Sequence, residues 1–442
     1  MKPSPRSWWF ELQSSLWFLP AVLTAAAAAL ALLTVEIDLR LLLDRRQGTG
    51  WFFGGGAEGA RGVLAAIAGT MINVTALVFS ITVVALQLAA SQLTPRVLRS
   101  FMSDRGNQVV LGFFIGTFTY ALLVLRAVRA PLDEQGGFVP AVSVSVAIVL
   151  ALASVAFLIY FVHHDANSIR VSVVVDRVTN RTLDLAEELY PPTEVGQTTG
   201  HPVPDGVAST VRIDRAGYLQ TVDTDNLLAL AAESALDIRI EPCVGDFVLP
   251  GTVVATVFPP ADPEREEAIR GLLTLGAERT TQEDIEFGVV QLADIAVKAL
   301  SPGINDPTTA MGCIDRLAEV LLSLARRIAP NADRAASRGA GRVVLAGPSF
   351  ERLVGVAFDR ARHYGAGDAR FTEHLITTLG RMSTLVPPIH RPVLIRKARS
   401  ALSEARAEMT VEEDIELVEQ AARWAVAESP PAEPNDEHRA AV

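Results

Sequence analysis

Three hydrogen-bonding side chains recur at seven-residue intervals within an otherwise apolar stretch: Asn73, Ser80 and Gln87. Seven residues are two helical turns, so a helix carries all three on one face, with Thr75 and Thr82 as a neighbouring pair. In lipid such groups need partners or water, and the face reads either as a solute path or as a hydrogen-bonded seam between helices. A second candidate is Ser301-Pro302-Gly303-Ile304-Asn305-Asp306-Pro307, where Asp followed by Pro fits a helix N-cap and first position. Ser301, Asn305 and Asp306 beside a helix start are either a ligand loop for a small polar molecule or ion, or a capped turn. Gly112 and Gly116 form a small-x-x-x-small step that admits a close backbone neighbour, and it carries the expectation of a homo-oligomer through this region.

Other chemistry finds little support. No phosphate-binding loop, dinucleotide fingerprint, nucleophile elbow or paired Cys/His set occurs, so no catalytic residue, metal site or cofactor is assigned. His163-His164-Asp165 offers metal-ligand types, but adjacent residues on a helix point about 100° apart and no further ligand is at hand. Cys243 and Cys313 stand alone, outside any C-x-x-C, which fits a reducing compartment. No Asp, Glu, Lys or His falls mid-span in the apolar runs, which argues against a proton-relay pump.

These residues need elements to hold them. The chain has 442 residues, half of them apolar, and only 20% charged. Four apolar runs, at about 16–35, 63–90, 109–125 and 138–162, are long enough to cross a hydrocarbon core of about 30 Å. The first 163 residues carry 11 Lys/Arg against 8 Asp/Glu, and the remainder 28 against 42. An acidic second half is a poor phosphate-backbone binder, so no nucleic-acid partner is expected. Eight Arg/Lys flank the runs on the side of the termini and six on the other, which places both termini in the cytoplasm of a bacterial inner membrane by the positive-inside rule.

Beyond the fourth run, 167–206 reads as a helical linker and loop, and 207–258 as a small β-rich module. A helical region follows over 259–428, and 429–442 is a Pro/Glu-rich tail expected to be disordered. Val244-Gly245-Asp246-x-Val248-x-x-Gly251 looks like the hairpin of barrel-sandwich carrier modules. Those carriers need a modifiable lysine, and none lies between Lys2 and Lys298, so only the shape survives. The fold expectation is therefore an α-helical integral membrane protein with a C-terminal soluble α+β region, its barrel-sandwich-like β module followed by helices.

Arg279-Thr280-x-Gln282-x-Asp284-x-x-Phe287-Gly288-x-x-Gln291-Leu292-x-Asp294-Ile295-Ala296, followed by the Ser301-to-Pro307 heptapeptide, resembles the signature of the bacterial membrane-protein family called domain of unknown function 2254. Pro95-Arg96-Val97-Leu98-Arg99-Ser100-Phe101, Gly116-Thr117-Phe118-x-Tyr120 and Phe161-Val162-His163-His164-Asp165 extend the resemblance. It implies an integral membrane protein with a soluble C-terminal region and supplies no reaction. The functional expectation is an oligomeric channel or pore with a cytoplasmic regulatory domain. The alternative is a membrane-anchored sensor or scaffold that binds a ligand or partner without transport. A hydrolase at Asn305-Asp306 is a third, weaker reading.

Overall fold

The computed structural model describes residues 17–43, 53–92, 105–129, 138–168, 170–190, 207–327 and 334–427. The expected disordered tail and the 191–206 loop lie outside them. The chain divides into two compact units, residues 1–173 and 174–442.

The first unit is a bundle of four helices: α1 (Phe18–Leu43), α2 (Ala57–Gln92), α3 (Arg105–Ala127) and α4 (Ala141–Ser168). All four are long and apolar enough to cross a membrane. Each continues beyond the apolar run that announces it at one end or both, because backbone hydrogen bonding persists after the side chains turn polar. On α1 this extension brings Glu36, Asp38 and Arg40 into the helix. The most enclosed helix is α3, which packs against α1, α2 and α4. Two apolar clusters fill the bundle: Leu64, Tyr120, Val124 and Val144 in one, and Met71, Val78, Val110, Phe114 and Phe161 in the other.

The second unit opens with α5 (Val171–Leu189), whose Val174, Val178, Thr182 and Leu185 keep three-and-four spacing and are buried. A β-rich part follows, with β1 (Ser209–Arg212), β2 (Gly217–Val222), α6 (Thr224–Ser234), β3 (Asp237–Ile240), β4 (Phe247–Val248), β5 (Val253–Phe258), α7 (Pro263–Gly271) and β6 (Leu273–Gly276). Next come α8 (Ile285–Ala299), α9 (Pro307–Ala325), the hairpin β7 (Arg334–Arg338) and β8 (Gly341–Leu345), and four helices: α10 (Phe350–Tyr364), α11 (Ala369–Leu385), α12 (Arg391–Glu408) and α13 (Glu412–Ala427).

The strands form two sheets rather than one module. The five-stranded sheet runs β1-β5-β3-β8-β7, with β3 and β8 parallel and the other pairs antiparallel; the three-stranded sheet runs β4-β2-β6. The expected hairpin around Pro250-Gly251 is thus split: β4 pairs with β2, and β5 with β1 and β3. The β-rich region also reaches past residue 258. Helix α7 stops at Gly271, and Leu273 and Leu275 alternate inward as β6, where a longer helix was expected. The β7-β8 hairpin arises inside the stretch expected to be helical. Its Gly341 leaves no room for a β-carbon, which would fall 2.2 Å from the Ala231 backbone of α6.

Candidate functional site

Asn73, Ser80 and Gln87 share one face of α2, as their spacing requires, and the structure turns that face away from the bundle: all three are exposed. The buried side of α2 is Ala60, Leu64, Ala68, Met71, Val78 and Ala85. Ser80 Oγ donates to Ala76 O at 2.9 Å, which satisfies its hydrogen without a neighbour. No path within one bundle therefore runs along these three residues. Along the same outer stripe Gly62 and Gly69 face open space.

Gly112 and Gly116 do serve close packing, within the chain. A β-carbon on Gly112 would lie 2.7 Å from Leu23 Cδ1 and 2.9 Å from Pro20 Cα; on Gly116 it would lie 3.2 Å from Ala27 Cβ. Both glycines seat α3 on α1.

The interior of the bundle holds polar groups of its own. Asp38, 6% exposed, accepts from Val142 N and Ser143 N at 2.9 Å each and from Ser143 Oγ at 2.6 Å, so a carboxylate on α1 caps the first turn of α4. Tyr120 Oη donates to Ser143 O at 3.1 Å and lies 2.9 Å from Thr34 Oγ1. Thr117 Oγ1, Gln108 Nε2 and both amide atoms of Asn107 are buried without a hydrogen-bond partner. Sequence reading gave no role to Asp38, Asn107 or Gln108. Asp38 and Asn107 were legible as polar residues flanking apolar runs, but nothing in one sequence says that the helices extend far enough to enclose them.

In the second unit, Ser301, Asn305 and Asp306 make a closed turn. Asp306 N donates to Ala299 O and Asn305 N to Ser301 O, both at 2.9 Å, and Ser301 Oγ donates to Lys298 O at 2.6 Å. Asn305 takes the left-handed conformation at φ 51°, which asparagine tolerates, and is exposed. Asp306 caps α9, accepting from Thr309 N at 3.0 Å and Thr309 Oγ1 at 2.5 Å, and these bonds hold its carboxyl below the usual carboxylate range. Both carboxylate oxygens are thereby engaged in the cap.

The Arg279-to-Asp294 signature builds an ionic core in which the carboxylates of Asp284, Glu286 and Asp294 are buried and the arginines Arg352 and Arg360 reach them from the surface. Arg279 Nε and Nη2 each donate at 2.7 Å to Asp284, whose Oδ1 also accepts from Phe287 N and so caps α8. Burial pushes the Asp284 carboxyl up, against the Arg279 and Phe287 bonds that pull it down. Two residues on, Glu286 Oε2 lies 2.5 Å from Arg352 Nε of α10, and Arg352 Nη2 also donates to Asp246 Oδ1 at 2.8 Å. Eight residues along both helices the pairing repeats, Arg360 Nη1 to Asp294 Oδ1 at 2.7 Å. Gly288 admits Thr182 of α5, whose Oγ1 stands 2.1 Å from where a β-carbon would be. Tyr190, Cys243, Glu283, Asp284, Glu286 and Pro348 line a narrow acidic cleft of about 10 Å³, no larger than a water. Among the described residues, no three His, Cys, Asp or Glu side chains are grouped to hold a metal ion.

No solved structure matches the chain. An uncharacterised protein of Mycobacterium bovis and one of Mycobacterium tuberculosis are each 35% identical over 420 residues, covering 92% of this chain and 79% of theirs. The description "Predicted membrane protein (DUF2254)" matches residues 13–381, which takes in all four membrane helices and the ionic core. With a match of that extent, the chain belongs to the DUF2254 family of membrane proteins.

Proposed function

We propose that the protein is an oligomeric membrane channel whose copies assemble along the outer stripe of α2, with the second unit as a cytoplasmic regulatory domain. The observation that carries this reading is the exposure of Asn73, Ser80 and Gln87 on the outside of the bundle. Polar side chains facing acyl chains lose hydrogen bonds to water and gain none, so such a stripe calls for a protein neighbour or a water path. Gly62, Gly69, Asn73, Ala76, Ser80 and Gln87 recur at three-, four- and seven-residue steps and all are exposed. The glycines and Ala76 allow a second helix to approach, and an asparagine amide, both donor and acceptor, complements its own copy across a symmetry axis. Over the 14 residues from Asn73 to Gln87 the polar groups extend about 21 Å along the axis of the assembly.

The test is flux together with accessibility. Cysteine placed singly at 73, 80 and 87, with Cys243 and Cys313 replaced, should react with a small water-soluble thiol reagent in liposomes and alter solute flux. If loop cysteines react and none of these three does, there is no water path. An intact oligomer without flux would favour the anchored sensor. For orientation, labels at Gly55 and at the C-terminus should lie on opposite faces, the latter cytoplasmic.

A further inference from the structure

Resting on the channel reading above, we infer that what passes along α2 is a small uncharged solute rich in hydrogen-bond donors, of the polyol or urea class, and that ions of either sign are excluded. The four membrane helices agree on charge. No Asp, Glu, Lys, Arg or His occurs from Phe18 to Val35, Gly62 to Gln92, Gly106 to Leu125 or Ala141 to Val162. Whichever face of a second copy completes the path, it therefore brings no charge at the depth of these spans.

Ion-selective pores use rings of charged side chains or rings of free backbone carbonyls. The spans supply no charged ring. A carbonyl ring needs an interrupted backbone, and α2 is one helix from Ala57 to Gln92, its carbonyls taken by its own N–H groups. Stripping water from an ion costs far more than stripping it from an amide or hydroxyl, and neutral side chains do not make up the difference. The stripe also leaves no room for an ion with its water. Gly62, Gly69 and Ala76 are exposed on it, and without bulk there the neighbouring backbone comes close. Between the polar positions stand Leu77 and Val84, each 55% exposed, and Val83, 46% exposed, apolar surface that resists wetting by an ion.

Hydrogen bonding sets what does fit. The hydroxyls of Thr75, Ser80 and Thr82 donate to Met71 O, Ala76 O and Val78 O at 2.7, 2.9 and 2.9 Å. Their hydrogens are spent, and lone pairs remain for a guest. Along the heptad, donors come from the Asn73 and Gln87 amides, each of which also offers an acceptor oxygen. Acceptors therefore prevail, which favours a solute with several O–H or N–H groups. An anion meets mostly lone pairs, and a cation meets oxygens strung along a helix rather than gathered in a cage.

The test uses the full-length protein in liposomes, with urea, glycerol and potassium chloride as probes and light scattering to follow reswelling after osmotic shock. Cross-linking through Ala76→Cys reports whether copies meet along α2. Urea and glycerol should enter well above the protein-free rate, and potassium chloride should stay at it. Asn73→Leu takes one hydrogen-bonding group from the path and should slow both solutes by about tenfold. A thiol reagent added to assembled Ser80→Cys, with Cys243 and Cys313 replaced, should block both, which probes the path in protein already folded even if the leucine variant does not assemble. Potassium chloride entering as fast as urea overturns the inference and leaves the channel standing. Entry of urea and glycerol that the reagent at position 80 does not block puts them on another route and overturns it too. No entry of any probe, or no cross-link, brings down the channel reading and this inference with it.

Discussion

A β-carbon on Gly112 would stand 2.7 Å from Cδ1 of Leu23, so the glycine step of α3 is the seat of α1 in the same chain. Leucine at Gly112 should therefore overpack this contact and destabilise the bundle by about 1–3 kcal/mol. Thermal unfolding in detergent and cross-linking separate the two roles. The melting temperature should fall while the remaining folded protein keeps its oligomeric state; loss of the oligomer with unchanged melting would place the glycines between copies.

Asp38 ties α1 to the start of α4 through two N–H groups and a hydroxyl. Asp38→Ala strands buried donors and removes a cap, and should cost about 2 kcal/mol or more. Asp38→Asn keeps one acceptor and should cost less. Equal stability of all three proteins would show that the first turn of α4 finds water instead.

Because its own α9 partner Thr309 holds the Asp306 carboxyl below the usual range, this group adds stability above the unfolded value of about 3.9. That contribution is lost as pH falls through the folded value, which lies lower. Unfolding followed from pH 7 to below 4 should show wild type losing an advantage over Asp306→Ala that amounts to about 0.5–2 kcal/mol at neutral pH, the size of an N-cap. A variant that keeps its stability but loses flux or ligand response would instead make the turn a ligand loop.

Gly245 adopts φ +96°, and a β-carbon there would fall 2.1 Å from Asp284 Oδ2. Gly245→Ala meets both backbone strain and a buried ion pair, and a loss of at least about 2 kcal/mol is expected. Chemical denaturation of the full chain would reveal it, and a neutral effect would mean that the Arg279–Asp284 pair can shift without loss.

Burial pushes the Cys313 thiol up to about 12, whereas Cys243 is half-buried. A neutral-pH thiol reagent should label Cys243 first and Cys313 only on unfolding. Equal native rates would mean that the α9 region opens readily.

The four membrane helices were legible in the sequence because each is a long run whose apolar character alone makes water unfavourable. The N-cap at Asp306 was legible too, since Asp before Pro is a local signal satisfied within one turn. The heptad of Asn73, Ser80 and Gln87 fixed a shared face by helical geometry. Which way that face points was not local: the bundle buries the Leu64, Met71 and Val78 side of α2, whose fit to α3 no spacing encodes. Likewise Gly112 announced a close neighbour without saying that it is Leu23. The strands β6, β7 and β8 were missed for a related reason. Four or five residues form a strand only when another strand supplies hydrogen bonds, and the partners of β6 and β8, β2 and β3, lie about 50 and 100 residues away. The pairings of Asp38 with Ser143 and of Glu286 with Arg352 span 105 and 66 residues, and only tertiary packing brings those charges to their partners.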